Sequence, residues 1–233
     1  MRTVAVIPAY NEEKTVRRVV EQVKQHVGCV LVVDDKSTDN TEAEIKLAGG
    51  VHYYNFGKRG AGSAIIQGIK VALCVDTLDA VVLLDADGQH EPNDIPAMLS
   101  LLKDYDMVVT SRFMDNSAFT KMPLYRKFGI WMITFAYNFG AKFKVRDSQC
   151  GLRAFRANVL RDMDLQENGF GYSTEMLVKA RAMGYKIIEI PTIVHYHADF
   201  KQNSSMNPLW HGLGVLLVTL KWRLLCEVFK CNK

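Results

Sequence analysis

Long apolar runs are missing from this 233-residue chain. Its two most apolar stretches, residues 125–139 and 209–229, fall short of the roughly 20 uninterrupted apolar residues of a spanning helix. The second is broken by Lys221 and Arg223, so no transmembrane domain is expected. Cysteine is also sparse. Cys29, Cys74, Cys150, Cys226 and Cys231 are odd in number and never spaced Cys-x-x-Cys, which indicates neither a disulfide framework nor a zinc site and fits a reducing cytoplasm. Met1-Arg2-Thr3 leads straight into Val4 with no basic leader or small-residue cleavage site, so no signal peptide is expected. Gly57-Lys58-Arg59-Gly60 lacks the Gly-Lys-Ser/Thr ending of a Walker A loop. The basic residues follow no recognised nucleic-acid module, which argues against a nucleic-acid partner.

What is present is a chain 48% hydrophobic and 23% charged, enough for one large domain with a substantial core. The net charge of +4 conceals a division. Residues 1–120 hold 12 Lys and Arg against 17 Asp and Glu, a balance of −5, and residues 121–233 hold 17 against 8, a balance of +9. An acidic half suits a metal site; a basic half suits phosphate or anionic lipid, or is simply a solvated surface.

Short β-branched runs at 4–7, 30–33, 51–54, 81–84 and 107–109 read as strands, and the segments 13–26, 41–47, 61–75 and 94–103 between them read as helices. Asn11 is the candidate cap of the first helix, and Asp39 or Asn40 of the second. This alternation predicts an α/β fold with a mostly parallel central sheet flanked by helices, and ligands at the carboxyl ends of its strands. Unusual polar residues sit at those ends. After the fourth run comes Asp85-Ala86-Asp87-Gly88-Gln89-His90. If extended, this segment turns Asp85, Asp87 and Gln89 to one side, three hard oxygens fit for Mg²⁺ or Mn²⁺. The alternative is an acidic turn in which Asp87 or Asn93 caps the helix after Pro92. Asp34 and Asp35 can accept from base or ribose donors, or serve only as turn and helix caps. The glycines of 57–60 can let backbone approach an anion. His195 and His197 can contact phosphate or metal, or be structural.

Three ordered motifs, Ile7-Pro8-Ala9-Tyr10-Asn11-Glu12-Glu13, Val32-Val33-Asp34-Asp35-Lys36-Ser37-Thr38-Asp39 and Asp85 to His90, resemble those of family 2 inverting glycosyltransferases. The resemblance is to the polyprenyl-phosphate branch, which includes dolichyl-phosphate mannose and glucose synthases, and covers roughly residues 3–195. It implies a single-domain GT-A (nucleotide-diphospho-sugar transferase) fold over residues 1–200; residues 201–233, apolar but carrying Lys221 and Arg223, read on their own as a C-terminal amphipathic helical segment, interfacial or packed as core. The resemblance places Pro8, Tyr10, Glu12, Asp34, Asp35, Lys58, Asp85, Ala86 and Gln149 around the nucleotide sugar, and matches Asp85, Asp87 and Gln89 to the metal site. Asp147-Ser148-Gln149-Cys150-Gly151-Leu152-Arg153 resembles the segment lining the sugar pocket, and Glu175 an acidic residue near the donor sugar. Arg112 and Arg126 match arginines that hold the acceptor phosphate, and Lys201 is a further candidate there. Two departures stand out: Lys36 replaces a usual glycine, and the common Arg-x-x-Gly-x-Ser-Lys loop is absent. Asn207-Pro208-Leu209-Trp210-His211-Gly212 is similar instead to archaeal members that use UDP-sugars, so a UDP-sugar is favoured over GDP-mannose.

The expected reaction moves a hexose or N-acetylhexosamine to a polyprenyl (dolichyl) phosphate with inversion. A phosphate monoester has its second pKa near about 6 and is already ionised near neutrality, so no general base is required. A hydroxyl acceptor in a surface glycan is the alternative; it would need a base, with Asp147 the first candidate and Glu175 the second. A non-catalytic nucleotide-sugar-binding protein is a third reading. Phe128, Trp131, Phe135 and Phe139 at helical spacing, flanked by Arg126, Lys127, Lys142 and Lys144, read as an interfacial helix on the cytoplasmic face of a membrane, or as core.

Overall fold

The structure, a computed structural model, describes residues 1–114, 122–195 and 208–228. The elements run β1 (Thr3–Ala9), α1 (Val16–Val23), β2 (Cys29–Asp34), α2 (Thr41–Leu47), β3 (Val51–Tyr54), α3 (Ala61–Leu73), β4 (Ala80–Leu83), α4 (Ile95–Leu101), β5 (Met107–Ser111), α5 (Leu124–Asn138), β6 (Arg153–Arg156), α6 (Ala157–Asp162), α7 (Tyr172–Ala182), β7 (Ile187–Pro191) and α8 (Pro208–Arg223). A 3-10 turn, Pro92–Asp94, precedes α4, and a π turn, Leu224–Val228, follows α8. The central strands β1, β2, β4 and β5 are almost wholly buried and mostly apolar because both sheet faces are covered there. Val4 and Val6 of β1 enter one core with Ile65 and Ile69 of α3, and Ala5 and Ile7 enter the other with Val16 and Val20 of α1.

All seven strands form one sheet in the order β3-β2-β1-β4-β6-β5-β7. The first four are parallel, β6 runs antiparallel between β4 and β5, and β7 is parallel to β5. The five strands expected in the first half all form. The parallel order reverses direction at β1 and β4, with α1 on one face and α3 on the other, so the crevice outside their carboxyl ends is the topological switch point.

Two capping expectations are corrected. Asn11 does not cap α1: it has φ 55° and its Oδ1 accepts from the Thr38 amide at 2.8 Å, locking the β1 loop to the β2 loop. Neither Asp87 nor Asn93 caps the helix after Pro92: Glu91 caps the 3-10 turn there, its carboxylate accepting from the Asn93 amide at 3.1 Å, and α4 follows Asp94 with no side-chain cap bond.

Helix α8 packs against α5 and α7, burying Val215, Thr219 and Trp222 while Leu213, Leu217, Leu220 and Leu224 stay exposed. Among the described residues no helix is long and apolar enough to cross a membrane.

Candidate active site

The switch-point crevice is lined by acid. Glu12 follows β1, and Asp85 and Asp87 follow β4. The chain does not stay extended there: it turns through residues 86–88, with Gly88 at φ 72° and the Gln89 amide donating to Asp87 Oδ1 at 2.9 Å. The row of three oxygens expected of an extended strand end is therefore not formed. Gln89 is buried, with its carbonyl accepting from the His195 amide at 2.9 Å, and Ala86 is buried under the turn. Asp85 Oδ2 lies 3.0 Å from His90 Nε2. Burial pulls the Asp85 pKa up, but the His90 bond and the positive charges of His90, Arg112 and Arg153 hold it below the usual carboxylate range. Asp87 goes the other way, raised by burial and by Asp85 despite the opposing pull of His90 and Arg126. Glu12 is pushed up to about 7 by burial and by the charges of Asp87, Asp85 and Asp39, against a hydrogen bond from Thr15.

These half-buried carboxylates raise one another's pKa, as like charges sharing a crevice do, and a bound cation would relieve that repulsion. Among the described residues no three His, Cys, Asp or Glu side chains converge into a closed cage. Two carboxylates are the share of ligands that proteins commonly give Mg²⁺ or Mn²⁺, the rest coming from water and substrate phosphates.

Opposite stand the arginines. Arg112, just past β5, donates from Nε to Asp147 Oδ2 at 2.6 Å and from Nη2 to Asp147 Oδ1 at 2.8 Å. Asp147 is fully buried, and Arg112 overcomes burial to hold its pKa low. Asp147 is thus corrected from candidate base to the group that orients Arg112. Arg126 projects from the first turn of α5, near enough for its charge to be felt at Asp87. Gln149 is half-buried beside Asp147, which accepts from its amide at 3.0 Å. Glu175 is also corrected. It is fully buried in α7, accepts from the amides of Gln166 and Glu167 at 2.9 Å and pairs with Lys179 at 2.7 Å, so it braces a loop and does not face the crevice. Lys201 and His197 lie outside the described residues. His195 pairs with Glu91 at 3.0 Å, a structural tie.

On the β2 side, Asp34 accepts from the Ser37 amide at 2.8 Å and meets His52 at 3.2 Å, the turn-building role. Asp35 accepts from Asn55 Nδ2 at 2.7 Å and from the Gly60 amide at 2.8 Å. Pro8 pairs with Val33 near the end of β1, and the exposed Tyr10 carries the Arg59 guanidinium 4.1 Å above its ring. Lys58 is exposed beside it. Of residues 57–60, read as room for an anion, the Gly57 amide donates to Asn55 Oδ1 at 2.9 Å and the Gly60 amide to Asp35, so these two donors are spent within the protein; further on, the Ser63 amide donates to the Asn168 carbonyl at 3.0 Å. Gly60 and Gly62 are needed because a Cβ on either would strike the carbonyls of residues 167–169.

Sequence reasoning missed His90, Gly151 and Arg153. A Cβ on Gly151 would sit 2.6 Å from Asp85 Oδ2 and 2.9 Å from His90 Nε2, so only glycine lets that segment close on the pair. Arg153 is buried, and donates to the Cys150 carbonyl at 2.9 Å and the Ser148 carbonyl at 2.8 Å, shaping residues 148–150 from beneath. A glycine two residues before an arginine in a polar stretch was the available signal.

A mostly parallel sheet that ends in acidic turns at a switch point defines a GT-A nucleotide-diphospho-sugar transferase fold. The chain belongs to glycosyl transferase family 2, whose family model matches residues 4–164. It is 34% identical to the UDP-N-acetylglucosamine–dolichyl-phosphate N-acetylglucosaminyltransferase of Methanococcus voltae, with 80% of this chain and 82% of the relative covered. To the undecaprenyl-phosphate mannosyltransferase of Micrococcus luteus it is 31% identical, with 82% of each covered. These relatives place it in the polyprenyl-phosphate branch. In fold it is similar to glucosyl-3-phosphoglycerate synthase from Mycobacterium tuberculosis, crystallised with Mn²⁺, UDP and phosphoglyceric acid, at a TM-score of 0.72 and 16% identity over 96% of this chain and 77% of that one.

Proposed function

We propose that the protein transfers a hexose or N-acetylhexosamine from a nucleotide-diphosphate sugar, a UDP-sugar in preference to GDP-mannose, to a polyprenyl (dolichyl) phosphate, with inversion and with Mg²⁺ or Mn²⁺. The observation that carries the reading is the pair of carboxylates past β4, Asp85 within reach of the charge of Arg112 and Asp87 within reach of that of Arg126, with the Arg112 guanidinium held by Asp147 at 2.6 and 2.8 Å. Asp85 and Asp87 would hold the cation, which when bound would supply Lewis-acid stabilisation to a departing diphosphate. Arg112 and Arg126 aim the acceptor phosphate, which arrives ionised and has no proton to lose. A hydroxyl acceptor fits less well, because Asp147 and Glu175 are both engaged in holding structure. The solved neighbour's Mn²⁺ and UDP, and the acceptors named for the relatives, support the same assignment.

The acceptor's lipid end fits α5. Phe128, Trp131, Phe135 and Phe139 stand 55–67% exposed in a ladder with successive ring centroids 6.0, 5.7 and 6.1 Å apart. They line a groove of about 810 Å³ edged by Lys127, Lys144 and Arg146. In this reading an aromatic face with a basic rim lies in the headgroup boundary of an anionic membrane, at its cytoplasmic face, and the exposed Leu213, Leu217 and Leu220 of α8 belong to the same membrane-facing surface.

The test is incubation with Mn²⁺, polyprenyl phosphate and UDP-glucose, UDP-N-acetylglucosamine or GDP-mannose, with mass spectrometry of the lipid. An acid-labile sugar phospholipid is expected, and D87A is expected to remove it while leaving the fold. Folded protein that makes no such product from any donor would overturn the reading.

A further inference from the structure

We propose that Lys36 is a positioning residue for the nucleoside end of the donor: it holds the loop 55–60 across the ends of β2 and β1, and so sets how tightly a nucleoside diphosphate is gripped. The inference rests on the donor reading above and extends it to a residue outside the cation and phosphate groups.

Lys36 has φ 68°, in the left-handed region that glycine enters freely and an L side chain enters at a cost. Among the described residues Asn11 is the other non-glycine there, and asparagine tolerates it. Lysine has no short polar group to make such a local bond. The turn itself does not require a lysine, since the Ser37 amide closes it on Asp34 Oδ1 at 2.8 Å. A glycine would make that turn without strain. What lysine adds is reach: its Nζ, half-buried, donates to the Gly57 carbonyl at 3.2 Å.

That carbonyl belongs to a loop tied elsewhere along its length. Asp35 holds Asn55 at 2.7 Å and the Gly60 amide at 2.8 Å, and Arg59 lies 4.1 Å over the Tyr10 ring. The ties carry the loop from β3 past β2 to β1, where it walls the side of the crevice away from Asp85, Asp87 and Arg112. The Lys36 bond joins the middle of this wall to the β2 end. Strained backbone kept where its side chain braces a candidate binding wall is the pattern of a residue retained for positioning. A looser wall weakens binding and leaves the chemistry across the sheet intact.

K36G, K36R and K36M test this beside wild type by calorimetric titration with UDP and with GDP in Mn²⁺, with thermal unfolding of each. K36G is expected to unfold at the same or a higher temperature, because the strain is gone, yet to bind the preferred nucleotide about fivefold or more weakly. Its KM for donor rises in step while kcat stays within about twofold. K36R keeps wild-type affinity, and K36M, which keeps the strain but loses the donor, is as weak as K36G. Unchanged affinity in K36G beside a wild type that binds would overturn the role of Lys36 and leave the donor reading standing. A K36G affinity loss with a lower unfolding temperature would mark the residue as merely structural and overturn it too. Wild type that binds neither nucleotide would overturn both.

Discussion

Replacing Asp147 by alanine separates holding from chemistry. The carboxylate is 0% exposed and accepts from Arg112 Nε at 2.6 Å, Arg112 Nη2 at 2.8 Å, the Arg112 amide at 3.2 Å and the Gln149 amide at 3.0 Å. Alanine deletes all of these and takes the Asp147 counter-charge from a guanidinium whose side chain is 12% exposed. Breaking one side of such a pair costs about 3–5 kcal/mol, a large part of the about 5–15 kcal/mol that stabilises a domain. D147N keeps the shape and one acceptor oxygen but turns an amide toward the arginine, so about half that loss is expected. Urea unfolding followed by tryptophan fluorescence reads both as midpoint shifts at unchanged slope. The pH dependence follows from Asp147 being held below the usual range by Arg112. A depressed carboxylate contributes stability above its unfolded pKa of about 4, lost as pH falls through the lower folded value, so wild type and D147A converge only in acid. D147A within about 1 kcal/mol of wild type, yet inactive, would make Asp147 a reacting group and refute the holding role.

Glu12, raised to about 7, gives the opposite sign. Its folded form holds a proton that the unfolded chain releases near 4.5, so stability falls as pH rises from there toward 7, by about 1–2 kcal/mol after allowance for its partial exposure. Urea midpoints across that range should slope in wild type and flatten in E12Q; an equal slope in E12Q removes Glu12 as the cause. G151A forces a methyl against Asp85 and His90. A drop of about 10- to 100-fold in kcat/KM with unchanged circular dichroism is expected, as for displaced partners of metal ligands, and full activity would show the close fit to be incidental. W131E with F135E should weaken flotation with anionic vesicles by about tenfold or more, and undiminished flotation would move the membrane face elsewhere.

The strands were legible because every residue of a two-sided buried strand is apolar, as in Val81, Val82 and Leu83 of β4. Strand β6 was not, because Arg153 and Arg156 frame it and the buried one is satisfied by carbonyls distant from it in sequence or around a turn. The carboxylates of the crevice could be named from their motif, but their partners could not. Asp147 meets Arg112 across 35 residues, and Asp35 meets the Gly60 amide across 25, pairings that exist only once the sheet has ordered its edge. Gly60 looked like room for an anion, and the space beside it is taken by the backbone of residues 168–169, a distinction that no local spacing contains.

The burial of the α3 start under residues 167–169 has a further consequence. In many nucleotide-binding folds the positive end of a helix dipole neutralises phosphate. Here the Ser63 amide in the first turn of that helix is taken by the Asn168 carbonyl, so that donor is spent on protein rather than left for a phosphate. In the proposed reaction the charge leaving with the nucleotide is then balanced chiefly by an exchangeable ion and by side chains. The site's grip on a diphosphate becomes conditional on ionic supply, and depleting the cation should switch off retention of the spent nucleotide along with transfer.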